Sequence, residues 1–371
     1  MTKSLLVGAA LGLLPWGAAG CASATAYPAA DPTVSDVAAG PFLYVANQEA
    51  ASVTVIDITT NDVSTVIDLE RMGFGATAKP HHIAVEPDGS FWYVSLIAAN
   101  RVLKFNRANE LVASAEFERP GLLALHPTEN WLFVGRSMAA VNPPQRIGRV
   151  DRATMAIDEF DVFIPRPHAL AVGPDGGWVY TASLAENSVV SVEAESGEAE
   201  LLRLPGSGEH PHVIVQYAIS PDGSTLVATA EMTARLLVFD LADPANPALT
   251  REVDVGPRPW HPSFTPDGSE VWFGNLGSNE VTVVDTESWT VKDVIKHPAI
   301  AEPHGSAISP DGQRVYIASR NEKGTYSGTQ DFGFDLPSGT LVVIDRATHR
   351  VLGVIETPPY AAGIALASSR P

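Results

Sequence analysis

Cysteine is all but absent from this chain: one residue, Cys21, in 371. Disulfides are therefore excluded, and so is any Cys-x-x-Cys haem or zinc motif. Basic residues are also scarce, 24 Lys and Arg against 43 Asp and Glu, for a net charge of −19. Nucleic acid and anionic lipid surfaces would be repelled by such a surface, so neither is an expected partner. Long hydrophobic runs are missing beyond the first residues, and no stretch carries a helical apolar period. The sequence also lacks a glycine-rich phosphate loop behind a strand and a Gly-x-Ser-x-Gly elbow.

The one apolar run, Leu5 to Leu14, follows Lys3 and is too short to cross a bilayer. It reads as the core of an export signal over residues 1–20. Cys21 follows Ala18-Ala19-Gly20, which resembles a bacterial lipoprotein signal and implies lipidation at Cys21. Ordinary cleavage after Ala22-Ser23-Ala24 or Ala24-Thr25-Ala26 is the alternative. Residues 21–40 then form a flexible tether. The expected location is the periplasm or the cell surface, with the membrane reached only through that anchor.

What the chain has in quantity is a turn. Pro-Asp-Gly recurs at Pro87, Pro174, Pro221, Pro266 and Pro310, with a degraded copy at Pro127-Thr128-Glu129-Asn130. Proline presets φ, Asp bonds back to the backbone and Gly takes the positive-φ position, so each copy is a tight turn between strands. Strands follow in the same order each time, such as Phe91-Trp92-Tyr93-Val94 and then Val281-Thr282-Val283-Val284-Asp285 in a later copy. A period of about 45 residues built this way signals a radial repeat. One four-stranded sheet cannot bury both its faces; a closed ring of them can. The expectation is an all-β, seven-bladed β-propeller of four-stranded antiparallel blades over residues 41–371, a single domain and a monomer. The first blade lacks its innermost strand, and Gly363-Ile364-Ala365-Leu366 has the character to supply it and close the ring.

These repeats, such as Pro80-His81-His82-Ile83-Ala84-Val85-Glu86-Pro87-Asp88-Gly89, resemble the YVTN-type propeller of exported bacterial proteins. That resemblance implies the fold and an exported setting; its members range from surface-layer and binding modules to parts of redox enzymes. Function must come from a site.

Counting back from each turn proline, His81, His168 and His304 lie six residues before it, His82 and His261 five, and His212 nine. The loops entering the innermost strands of a propeller converge on one mouth, so these six histidines are expected there as ligands. Several neutral imidazoles in one place suit a transition metal, with copper above zinc in affinity. A regular strand would point His81 and His82 to opposite faces, so one of the pair can be structural. The His81-His82 pair with single histidines from later blades resembles the propeller domain of nitrous oxide reductase, where such a cluster holds a multicopper centre. That resemblance implies copper ligands and a redox role. The reaction is not implied, because that family's two-cysteine electron-entry domain has no counterpart here.

Arg166-Pro167-His168, Glu209-His210-Pro211-His212 and Glu302-Pro303-His304 also resemble the axial groups of seven-bladed lactonases of the phosphogluconolactonase type. That would imply a His–carboxylate base and an Arg holding an anion. A third expectation is a binding or scaffold propeller without metal or turnover, taking a small molecule or a protein at its top face. Supporting groups at the mouth would be Glu209, His210, Glu302, Arg166, Arg258 and Glu231. The blade-seven loop from Asn321 to Ser338, with Tyr326 and Asp331, reads as a lid, and Arg136 to Arg146 is a second long loop. His126, beside Pro127, is expected on the surface at a turn.

Overall fold

A computed structural model describes residues 41–205 and 211–367, with the backbone of Thr25 and Ala26. The leader, Cys21, Glu209 and His210 lie outside the described residues. No helix among the described residues is long and apolar enough to cross a membrane.

Seven antiparallel sheets of four strands succeed one another around an axis. Blade two runs from its inner strand Pro80–Val85 through Phe91–Leu96 and Arg101–Asn106 to Leu111–Glu116. Thr25–Ala26 adds a short backbone pairing to that outer strand, where a free tether was expected. Blades three to seven repeat the order, with inner strands Pro120–Leu125, Pro167–Val172, Ile214–Ile219, Ser263–Phe264 and Pro303–Ile308. The ring closes as expected. The C-terminal strand Ala361–Leu366 pairs with Phe42–Asn47 as the innermost strand of blade one.

Middle strands are buried on both faces, which is why they read as continuous apolar runs rather than alternating ones. Phe91–Leu96 and Glu270–Asn275 are buried almost throughout. Seven apolar clusters fill the seven blade-to-blade seams. Between blades one and two, Tyr44 stacks on Trp92 at 4.7 Å and Trp92 on Phe105 at 4.1 Å. An eighth, small cluster of Val215, Trp260 and Leu276 sits elsewhere, at the mouth.

Two details of the backbone repeat position the site. First, the residue ahead of each inner strand has positive φ: Lys79, Arg119, Arg166, Val213, Arg258, Glu302 and Tyr360, from 48° to 67°. Left-handed backbone costs a non-glycine residue about 1–2 kcal/mol. In each blade the carbonyl of that residue accepts from the backbone N–H just past the second strand, as Ile97 to Lys79 and Arg320 to Glu302 do. Second, the inner strands carry a bulge at their entry. Pairing slips between Pro80 and Ile83, between Pro167 and Ala169, and between Pro303 and Ser306. The histidines lie inside these bulges, where the alternation of a regular strand no longer holds.

Blades meet most closely at this end. A Cβ on Gly363 would lie 2.4 Å from the carbonyl oxygen of His81 and 2.9 Å from Cα of His82. Gly363→Ala therefore must part blades one and two beside the histidine pair. The expected loss is about 1–3 kcal/mol in denaturant unfolding. A melting curve matching the parent's would contradict this packing.

Candidate functional site

The inner-strand bulges deliver imidazoles from four blades to one place. The ring centroids of His261 and His304 are 4.6 Å apart, those of His81 and His304 5.3 Å, those of His82 and His261 5.8 Å, and those of His81 and His168 6.5 Å. His81 and His82 belong to blade two, His168 to blade four, His261 to blade six and His304 to blade seven. Blade two borders neither blade four nor blade six nor blade seven, so these rings meet only across the axis. Blades one and three leave room for this, with Ala362 and Gly121 at the matching positions.

Hydrogen bonds to carbonyl oxygens fix the tautomers of two rings. Nδ1–H of His81 donates to Oε1 of Gln48 at 2.9 Å, and Nδ1–H of His168 donates to the carbonyl of Arg136 at 2.7 Å. Each neutral ring then turns a lone pair at Nε2 into the cluster. His82 has the opposite arrangement: its Nδ1 accepts from the backbone N–H of Leu123 at 3.2 Å. The proton of neutral His82 is thereby placed on Nε2, which makes it the structural member of the pair. Among the described residues, Nε2 of His168, Nε2 of His261 and Nδ1 of His304 are buried without a partner.

All five rings are held neutral. Burial is the main cause, and it pushes His82 and His168 down to about 4. His81, His261 and His304 are also held well below the usual range, by burial first and then by neighbouring imidazoles. Among the described residues, no axial histidine is hydrogen-bonded to a carboxylate, and no three His, Cys, Asp or Glu side chains converge on one ion position. A shared ion therefore requires rings to turn about χ2.

His212 stands apart. It precedes the positive-φ residue Val213, so it matches Ala78 of blade two rather than His81. Its Nδ1 bonds the hydroxyl of Thr233 at 2.9 Å, and the charges that act on it are those of Glu252 and Arg235 rather than the axial rings. Val213 lies eight residues before Pro221, as Lys79 lies eight before Pro87, so the entry of blade five is no longer than the others and His212, nine before the turn, falls one residue outside the register.

The supporting groups divide as well. Arg258 pairs with Glu231 at 2.6 Å on the rim. Glu302 accepts from the backbone N–H of Lys323 at 3.0 Å and lies 3.2 Å from its ammonium. Arg166 donates to the carbonyl of Met138 at 2.7 Å. That bond holds the blade-three loop, and Met138 packs across the mouth on Val215, Trp260 and Leu276. The blade-seven loop is not a lid. Tyr326 donates to Glu356 on the outer strand at 3.2 Å, Thr329 and Gln330 bond the same carboxylate, and Asp331 is exposed and caps Gly333. The Glu356 carboxylate draws the loop outward, away from the axis.

Three participants were not singled out from sequence. Gln48 shares with Arg320 the position just after the second strand, which the backbone bonds aim at the mouth. Trp260 occupies in blade six the position His81 has in blade two, and its ring lies 4.5 Å from that of His304. Tyr360 accepts from Arg320 at 2.8 Å. His126, expected at the surface, is buried. Its Nδ1 accepts from the backbone of Thr128 and Glu129, and its Nε2–H donates to the carbonyl of Gly176 at 2.9 Å.

A cavity of about 520 Å³ lies at the opposite face, where blade one has no Pro-Asp-Gly turn, between Tyr44, Pro87, Arg107, Pro310 and Tyr316. It includes none of the axial histidines.

Solved structures share the fold at low identity. A protein of unknown function from Desulfotomaculum acetoxidans DSM 771 matches with a TM-score of 0.69 at 15% identity, over 88% of this chain and 99% of its own. The dihydro-heme d1 dehydrogenase NirN, in complex with DHE, matches at 0.63 and 13%, over 93% and 80%. A streptogramin B lyase matches at 0.59 and 13%, over 79% and 91%. No curated protein matches the sequence. Residues 115–348 match the family model described as "Lactonase, 7-bladed beta-propeller", and the chain belongs to that family.

Proposed function

We propose that this protein is an exported, lipid-tethered propeller that binds a transition metal at its axial mouth, with copper favoured. The single observation that carries the reading is the set of buried imidazole nitrogens without partners at His168, His261 and His304. A buried polar atom left unpaired costs about 1–3 kcal/mol, and native proteins hold few of them. A ring that donates one N–H to a carbonyl oxygen and turns its other nitrogen inward has the arrangement of a metal ligand with its outer partner. His81 and His168 both have it. Rings spaced 4.6 to 6.5 Å apart are close enough to share an ion bound at about 2.0 Å from nitrogen. Neutral imidazoles with no carboxylate suit copper or zinc over calcium or magnesium.

His81, His168, His261 and His304 would hold the ion, and His82 would fix the seam to blade three. Trp260 and Met138 would exclude water from it. The ion would supply Lewis acidity or, if copper, one-electron chemistry.

Hydrolysis is the second reading, favoured by family membership. The axial histidines lack the carboxylate partner that a general base would use, so it ranks lower. The test is metal titration of chelator-treated protein, purified without an affinity tag, against a competing chelator. One cuprous or zinc equivalent held below about 1 μM supports the metal reading. Metal-free protein that opens a lactone at an unchanged rate supports hydrolysis. Inertness in both assays leaves a scaffold.

A further inference from the structure

The mouth also holds unpaired groups that no metal can satisfy. Trp260 is 5% exposed, and its indole N–H has no acceptor among the described residues. Arg320 lies beside it, with the guanidinium carbon 5.5 Å from the Trp260 ring centroid and 5.0 Å from that of Tyr360. Its side chain is 11% exposed. Nη1 donates to Tyr360, but Nε is buried without a partner among the described residues. Nη2 is 3.8 Å from both Glu302 and Glu322, beyond hydrogen-bond range. Glu302 is turned instead to Lys323, whose backbone N–H and ammonium it accepts. Arg320 is near enough to His81 and His304 for its charge to act on both rings. Arg166, on the His168 side, also has a buried Nε without a partner among the described residues.

Imidazole nitrogens can accept a metal or a proton. An indole N–H and a guanidinium N–H only donate. They need an acceptor atom, and a desolvated guanidinium favours one with negative charge.

We propose that Arg320 and Trp260 form an oxyanion subsite at the axial mouth, which takes a small oxyanion: the carboxylate of an organic ligand or a free inorganic oxyanion. The proposal rests on the axial-site reading above and names the ligand class of that site, but it does not need the ion. An oxyanion held there lies against His304, where it could complete the coordination of a bound metal or be the molecule acted on.

The test is calorimetry, with total tryptophan fluorescence compared between parent and Trp260→Phe as a second signal, on the full protein in Tris chloride. Formate and succinate are the organic probes; nitrite and inorganic phosphate are the inorganic ones. Each is run on chelator-treated and on metal-loaded protein. At least one probe is expected to saturate below about 1 mM in chelator-treated protein. Arg320→Gln is expected to weaken it by about tenfold or more, and Trp260→Phe, which keeps the ring and drops the N–H, by about threefold. Melting curves of both variants matching the parent's would show that the fold is intact. Saturation by the carboxylates alone assigns an organic ligand; saturation by the inorganic probes alone assigns a free oxyanion. No saturation by any probe below about 10 mM, or equal binding by parent and both variants, overturns the proposal. Binding without any metal retention would overturn the metal reading and leave this one standing; metal retention without binding would do the reverse.

Discussion

Replacing His261 and His304 together by Ala is expected to abolish tight metal retention while the propeller stays folded. These two rings form the closest pair in the cluster, 4.6 Å apart, and each has a buried nitrogen with no partner. Neither is tied to the backbone by a hydrogen bond, unlike His168 and His82. Their loss removes two buried nitrogens and the ring contacts between blades six and seven, His261 with His304 and Trp260 with His304. Two opposing terms set the stability of the metal-free variant. Truncation opens space, which costs stability. Removing an unpaired buried nitrogen returns about 1–3 kcal/mol for each group. The net change in metal-free protein is therefore expected to stay within about 2 kcal/mol of zero in urea unfolding. Metal content, read by elemental analysis, is expected to fall to background. If instead the variant fails to fold while the parent holds no metal, the rings are structural.

Acid is expected to weaken the metal-free protein well before its carboxylates titrate. His168 and His82 titrate near 4 in the folded chain against 6.5 for the free side chain. The folded state therefore resists protons that the unfolded state accepts. Stability contributed by neutral burial is complete above pH 6.5, falls as pH drops from 6.5 towards 4, and levels off below 4. A depression of that size corresponds to about 3 kcal/mol for His168 alone. Asp267 and Glu270, whose pKa values are lowered by hydrogen bonds and by Arg346, lose their contribution only as pH falls below the ordinary carboxylate range. The two windows separate on the pH axis. Urea unfolding at steps from pH 7 to pH 4 checks this. Bound metal competes with protons for the same nitrogens and is expected to move the loss to lower pH. A flat profile between pH 7 and pH 5 in metal-free protein would contradict the burial of these rings.

The fold was legible because its signals are local. Pro-Asp-Gly turns and apolar runs occur at fixed spacing, and closure followed from the strand character of Gly363 to Leu366. The axial register was legible for the same reason, since His81, His168 and His304 keep one distance from their turns. Side-chain direction was not. It depends on the bulge at each strand entry, which brings His81 and His82 into one cluster despite their adjacency. His212 marks the limit of the register: the positive-φ residue lies eight residues before the turn proline in blade five as in blade two, so a histidine nine residues before the turn falls outside the inner strand. Long loops were harder still. The blade-seven loop is held outward by Glu356, far along the chain, while Met138 of blade three reaches residues of blades five and six. No local pattern encodes either contact. Trp260 lies six residues before Pro266, the spacing of His81, His168 and His304 from their turns, so the same count reaches it, and Gln48 could have been found by aligning the ends of the second strands.

The central claim is that imidazoles from separate blades share one ion. X-ray absorption at the copper edge of protein loaded with one cuprous equivalent tests it most directly. The account predicts nearest scatterers at about 2.0 Å with the outer-shell pattern of three or more imidazole rings. It also predicts that this pattern is lost in the His261, His304 variant. Oxygen-dominated scattering without imidazole outer shells, or an unchanged spectrum in that variant, would contradict it.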